Sequence, residues 1–245
     1  MNTNLKKFGT HILVIFGFIL VSLLYFSPVL KGQKIYQSDI VQYTGMAKQH
    51  TDFREAYDSE SYWTNGAFGG MPTFQLGAKY PHNYIKKLDL ALRFLPRPAD
   101  YLFLYLIGFY ILLLVLKIEY RMAAFGALAF GFSTYLIIIL GVGHNSKAHA
   151  IAYMPLVLSG IILTFQKRYF IGFSLTAIAS GLELVTNHPQ MSYYLFILIL
   201  ILGISYLVQA IKSNQLPAFF KASAVLFVAA FLALGMNATN LLATS

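Results

Sequence analysis

Apolar runs of 18 or more residues recur along most of the chain, broken by short polar connections and by one long polar interval, residues 31–99. A helix of that length crosses a hydrocarbon core of roughly 30 Å. The pattern predicts an all-α polytopic membrane protein with seven spans, roughly 10–30, 100–117, 122–142, 149–166, 169–186, 191–211 and 218–237. Residues 1–245 then form one transmembrane domain, with 31–99 as its first large loop. The first run follows Lys6 and Lys7 and lacks a small-residue cleavage site, so it reads as an uncleaved signal anchor. The chain stops at NATNLLATS directly after the last span, as the N-terminal part of a longer protein would.

Composition agrees with this pattern. The chain is 58% hydrophobic and only 11% charged, with a mean hydropathy of +0.63, far too little charge for a soluble domain of 245 residues. It has no Cys, which excludes disulfides, thiolate nucleophiles and Cys-ligated metals. The formal charge of +9 is scattered rather than clustered, so no nucleic-acid partner is indicated. Topology accounts for it better. With the N-terminus cytoplasmic, Lys6, Lys7, Lys117, Arg121, Lys167, Arg168, Lys212 and Lys221 lie in or beside inner connections. The short outer connections hold only Lys147. That asymmetry predicts an N-in orientation in a bacterial cytoplasmic membrane, with the 31–99 loop and the active face outside.

The long loop carries six of the nine acids. Ser38 is placed to cap a helix with Asp39 in its first turn, where a carboxylate meets the positive end of the helix dipole. Asp39 and Gln42 then share a face. The glycines, proline and aromatics of YWTNGAFGGMPTFQ, 62–75, predict an ordered irregular loop; Trp63 in it is an interfacial anchor or a sugar or lipid contact. In YIKKLDLALRFLPRPAD, 84–100, Ile85, Leu88, Leu92 and Leu95 fall on one helical face and Lys86, Lys87, Asp89 and Arg93 elsewhere, which predicts an interfacial amphipathic helix. Its basic residues could contact lipid phosphates or simply snorkel.

Two more polar clusters fall on the same side. GVGHNSKAHA supplies His144, Lys147 and His149, and LELVTNHPQMSYY supplies Glu183, His188 and Gln190. Glu183 lies inside an apolar run, where an ionisable group must face protein or a wet cavity. A carboxylate with histidines suits a divalent cation, but the groups come from distant connections and no HExxH-like spacing is present. No phosphate-binding glycine motif has its strand–turn–helix context.

Taken in order, SDIVQ, WTNGAFGGMP, GHNSKAHAIAYMP and NHPQMSYY resemble the bacterial YfhO-type membrane proteins, over nearly the whole chain. That family is similar to the GT-C glycosyltransferases, polytopic enzymes that use a polyprenyl-phosphate-linked sugar as donor. The resemblance implies a GT-C-like fold and transfer of the sugar to a cell-envelope polymer or lipid on the outer face. It gives Asp39 the place of the first-loop catalytic base. Gln42, His144, Lys147, His149, Glu183, His188 and Gln190 become the substrate-binding set, with Lys147, His144 and His188 set to steady the leaving phosphate. The chain has a single Asp where many GT-C enzymes have a paired acidic motif, so dependence on a divalent cation stays open. Two other classes remain beside this one: a transporter or flippase of a lipid-linked or small polar substrate, and a non-catalytic envelope-assembly scaffold. A transporter predicts polar groups near the bilayer midplane and paired broken helices; Pro155 is the one mid-span breaker visible in the sequence.

Overall fold

The computed structural model describes residues 3–243, and the side chains from residue 8 onward apart from Gln75; Lys6, Lys7 and the last two residues of NATNLLATS therefore lie outside the described side chains. The protein is nearly all α: α1 (Thr3–Tyr25), α2 (Ser27–Leu30), α3 (Ser38–Tyr57), α4 (Tyr84–Leu92), α5 (Ala99–Val115), α6 (Tyr120–Gly131), α7 (Thr134–Val142), α8 (Asn145–Phe165), α9 (Tyr169–Leu184), α10 (Pro189–Lys212), α11 (Leu216–Met236) and α12 (Ala238–Ala243). Among the described residues four stretches are long and apolar enough to cross a membrane: Phe8–Tyr25, α8, α10 and α11. Counting the bent pair α6–α7 as one span makes five. Two expected spans, α5 and α9, have only 17 and 16 residues. At 1.5 Å per residue, 16 residues reach about 24 Å, short of a full core.

The helices differ in what surrounds them. Tyr101, Leu102, Tyr105 and Leu106 of α5 are all buried, as are Ala148, Ala152 and Tyr153 of α8. These two helices form the centre, and α9 packs along α8. Glycine sets that last contact: a Cβ at Gly160 or Gly172 would sit 2.6 Å from the backbone nitrogen of Thr176 or Thr164. Such close approach of small residues is how helices associate where lipid removes the hydrophobic drive. By contrast α1, α10 and α11 expose large apolar side chains, among them Leu13, Phe16, Phe196, Ile201, Phe227 and Phe231. An apolar exterior of this extent is stable only in lipid, and the protein is a membrane protein.

The span expected at 122–142 is interrupted. α6 and α7 meet at a 47° bend, and Ser133 takes the extended conformation of a helix start. Gly131, just before the break, faces Leu102 and Leu106, and a Cβ there would meet Leu106 Cδ2 at 2.7 Å, so a leucine would have to shift to admit it. The breaker is therefore a GFST sequence, not proline. Pro155 sits inside an unbroken α8, its carbonyl accepting the Ser159 hydroxyl at 2.7 Å.

The long loop is ordered, as its turn residues predict. Trp63–Thr64 pairs antiparallel with Met71–Pro72, and a 3₁₀ turn, Thr73–Leu76, follows. Gln49 of α3 accepts from Thr64 Oγ1 at 2.7 Å and from the Asn65 N–H at 2.9 Å, while Tyr43 donates to the Leu76 carbonyl at 3.0 Å. The loop is thereby fastened along α3. Trp63 lies over Gly70 and donates its indole N–H to Asn65.

Candidate functional site

α3 begins one residue earlier than its cap signal suggests. Gln37, not Ser38, is the N-cap residue, and it caps with no side-chain bond. Its amide instead donates to the Leu140 carbonyl at 2.6 Å, docking α3 against the end of α7. Asp39 then occupies the first turn as expected. Its Oδ2 lies 2.7 Å from His144 Nδ1, with both side chains about half exposed. His188 lies in the field of Lys147 and His144. Partial burial, with the nearby Lys147 and His144 side chains, pushes the His188 imidazole below its ordinary value. Asp39, His144, Lys147 and His188 thus gather at one end of the bundle, from three separate connections.

The remaining expected residues have other duties. Gln42 is exposed and makes no side-chain hydrogen bond among the described residues. Lys147 rests its ammonium 5.2 Å from the Tyr135 ring centre. His188 caps α10 by accepting the Met191 N–H. Gln190 donates to the Tyr194 hydroxyl at 2.8 Å. Glu183 is buried and accepts the Ser192 hydroxyl at 3.0 and 3.1 Å, so it ties α9 to α10 and orients no histidine. Among the described residues no three His, Asp or Glu side chains gather to hold a metal ion.

A large cavity lies beside this group. It measures about 850 Å³ and opens between α3, the 3₁₀ turn, α4, the start of α8 and the α9–α10 connection. Five cations line it, Lys79, Lys86, Lys87, Arg93 and Arg97, with His149 and no carboxylate among the described lining residues. Of the residues singled out in the sequence as the site, only His149 lines it. Asp39 and His144 are the chain neighbours of the lining residues Ile40 and Asn145 but do not line the cavity themselves.

The wall of the cavity is built by α4, whose expected apolar face is divided between lipid-side leucines and a buried Ile85. Ile85, Asp89 and Arg93 are the buried positions, while Leu88 and Leu92 are exposed. In water that would be inverted; at a membrane it lets leucines meet lipid while the polar stripe turns into protein. Asp89 is 0% exposed. Its Oδ2 accepts from Arg93 Nη2 at 3.0 Å and from Lys86 Nζ at 3.1 Å. Its Oδ1 accepts from the Tyr153 hydroxyl at 3.0 Å and from Arg93 Nε at 3.3 Å, and lies 2.5 Å from His149 Nε2. Arg93 also reaches Asp100 at 3.4 Å. Burial alone would raise the Asp89 pKa; the contacts with His149, Lys86 and Arg93 outweigh it and hold the carboxyl well below the usual range. The spacing of 85, 89 and 93 is a helical stripe visible in the sequence, but its mixed polarity hid it from a search for apolar faces.

No family model, curated protein or solved structure matches the chain. What class of protein it is rests on its residues and geometry.

Proposed function

We propose that the protein is an extracytoplasmic, glycosyltransferase-like membrane protein that takes a polyprenyl-phosphate-linked sugar as donor and transfers the sugar to a cell-envelope polymer or lipid. The observation that carries this reading is the cavity of about 850 Å³ with five cations and no lining carboxylate among the described residues; Lys86, Arg93 and Arg97 are held in its wall by Asp89 and Asp100, and Lys79 and Lys87 make no ion pair among the described residues. Such a lining favours a phosphate or diphosphate, and the charge that develops on a departing lipid phosphate is what it would stabilise. The exposed leucines of α4 give the lipid chain an apolar approach from the bilayer. The YfhO-type motifs supply the reaction class, and a GT-C-like arrangement of seven spans is part of the same proposal, with α5, α6–α7 and α9 each completing a crossing.

Orientation draws support from the cavity as well. Its lining comes from residues 40–43, 74–101, 145–149, 185–187 and Asn240, that is, from connections expected outside and the span ends that adjoin them. A separate groove of about 340 Å³ is lined from 165–169 and 206–219, at connections expected inside and the span ends that adjoin those. The transporter reading gains one broken helix pair, α6–α7, but the buried side chains of α7, Leu136, Ile139 and Leu140, are apolar and offer a polar substrate nothing.

The test is transfer of labelled sugar from polyprenyl-phosphate donors to envelope polymers by the full-length chain in nanodiscs, with and without a divalent-cation chelator. Transfer is expected, together with a donor KM at least tenfold higher in a Lys86→Gln, Arg97→Gln double variant. Donor binding that ignores these charges would refute the assignment of the cavity.

A further inference from the structure

We infer that His149, held by Asp89, is the proton acceptor of the basic cavity; this deepens the glycosyl-transfer reading and rests on it. The argument begins with Asp89, whose two oxygens receive Arg93, Lys86 and Tyr153 as well as facing His149. A carboxylate so fully engaged has no lone pair left for a substrate. Lys86 and Arg93 already more than offset its charge, so a neutral His149 suffices. Its Nε2 makes no aligned hydrogen bond, but a lone pair 2.5 Å from a carboxylate oxygen would be repelled, which puts the imidazole proton on Nε2. A carboxylate partner of this kind fixes the tautomer of an imidazole. The lone pair is then on Nδ1.

That second nitrogen is open. His149 Nδ1 has no hydrogen-bond partner among the described residues, while His149 lines the cavity. The ring is held between Tyr101 and Tyr153, with centroids 5.4 and 5.1 Å away. The charged groups around it are Asp89, Lys86 and Arg93 from α4, with Asp100 of α5 behind Arg93; the tyrosines 101 and 153 complete the shell. Asp39, to which the family resemblance gives the base, is engaged by His144 outside the lining. His149 is thus the proton acceptor placed beside the cations that would hold the donor phosphate.

The step balances as follows. The acceptor hydroxyl oxygen bonds to the anomeric carbon. The bond from that carbon to the phosphate oxygen breaks, and its electron pair leaves with the lipid phosphate. The hydroxyl proton passes to His149 Nδ1, and Asp89 steadies the imidazolium so formed.

The test has two arms on the full-length chain in nanodiscs. In the first, diethyl pyrocarbonate acylates open imidazole nitrogens and peptide mass mapping reads each histidine. His149 is expected to be acylated, and polyprenyl phosphate to slow its acylation about tenfold or more. A His149 that resists the reagent overturns the assignment. In the second, His149→Gln is expected to lower kcat by about 10²–10⁴-fold, the usual contribution of a general base, with the donor KM within about threefold of the parent. Wild-type kcat in that variant overturns the base. So does an Asp39→Asn variant that loses as much as His149→Gln. Absence of transfer by the wild-type chain refutes the glycosyl-transfer reading and with it this substrate for the base, while the acylation arm still decides the open nitrogen.

Discussion

Asp89 shows how much one buried residue can organise. Its carboxylate meets groups from α4 and α8 and, through Arg93, is linked to Asp100 at the start of α5. Removing it leaves Arg93 buried with half its partners gone. Asp89→Ala is expected to destabilise the protein by about 3–5 kcal/mol, the usual cost of breaking a buried pair from one side, read as a lower midpoint of denaturation in detergent. The pH dependence has a definite sign. Because the folded-state pKa is depressed, Asp89 contributes stability above its ordinary value of 3.8, and that contribution is lost as pH falls below it. A thermal-shift series should be flat in this respect at neutral pH and fall in acid, and the acid slope should shrink in Asp89→Asn. In the sequence Asp89 was one of four polar residues off an apolar helical face. Which residue lies beneath a helix depends on what packs against it, and Tyr153 and His149 are some sixty residues away along the chain.

At the scale of elements, α8 and α9 depend on the crossing of Gly160 and Gly172. The backbone contact there leaves no space for a side chain. Gly160→Leu is expected to cost more than the roughly 1–3 kcal/mol typical of overpacking, because the obstructing atoms are backbone; size-exclusion chromatography would show loss of the monodisperse species. Helix existence was legible from apolar length, and α3 and α4 were legible inside the long loop. Two features were not. The break between α6 and α7 lies in a segment whose hydropathy is continuous, and the neighbours that Gly131 faces there, Leu102 and Leu106, come from across the bundle. The two short helices look like full spans because hydropathy counts apolar residues whether they meet lipid or, as in α5, protein.

For the whole molecule, orientation and cavity are one question. The chain has no Cys, so single cysteines report cleanly on sidedness. A cysteine at His82 is expected to react with an impermeant maleimide on intact cells, and one at Lys167 only after permeabilisation. The reverse pattern would place the cavity on the cytoplasmic side and remove the proposed donor. Three of the family-like motifs contribute to the cavity lining or its edge. Of the site residues expected from them, His149 lines the cavity and the others do not. The cations that line the cavity come from the amphipathic segment and its flanks, where snorkelling was the favoured reading, whereas Lys147 and His188 engage an aromatic ring and a helix end.

By itself the sequence determined the class of solvent. Long apolar runs and scarce charge admit a bilayer and little else, because backbone groups in hydrocarbon must be satisfied within helices. It also determined that polar chemistry collects in a few connections. Only the tertiary structure decided which of those groups meet. Periodicity and hydropathy describe each segment alone, while a buried carboxylate, its histidine and a ring of cations are brought together by contacts between segments far apart in the chain. SDIVQ therefore holds Asp39 beside His144 at the edge, and the enclosed carboxylate–histidine pair is Asp89 and His149.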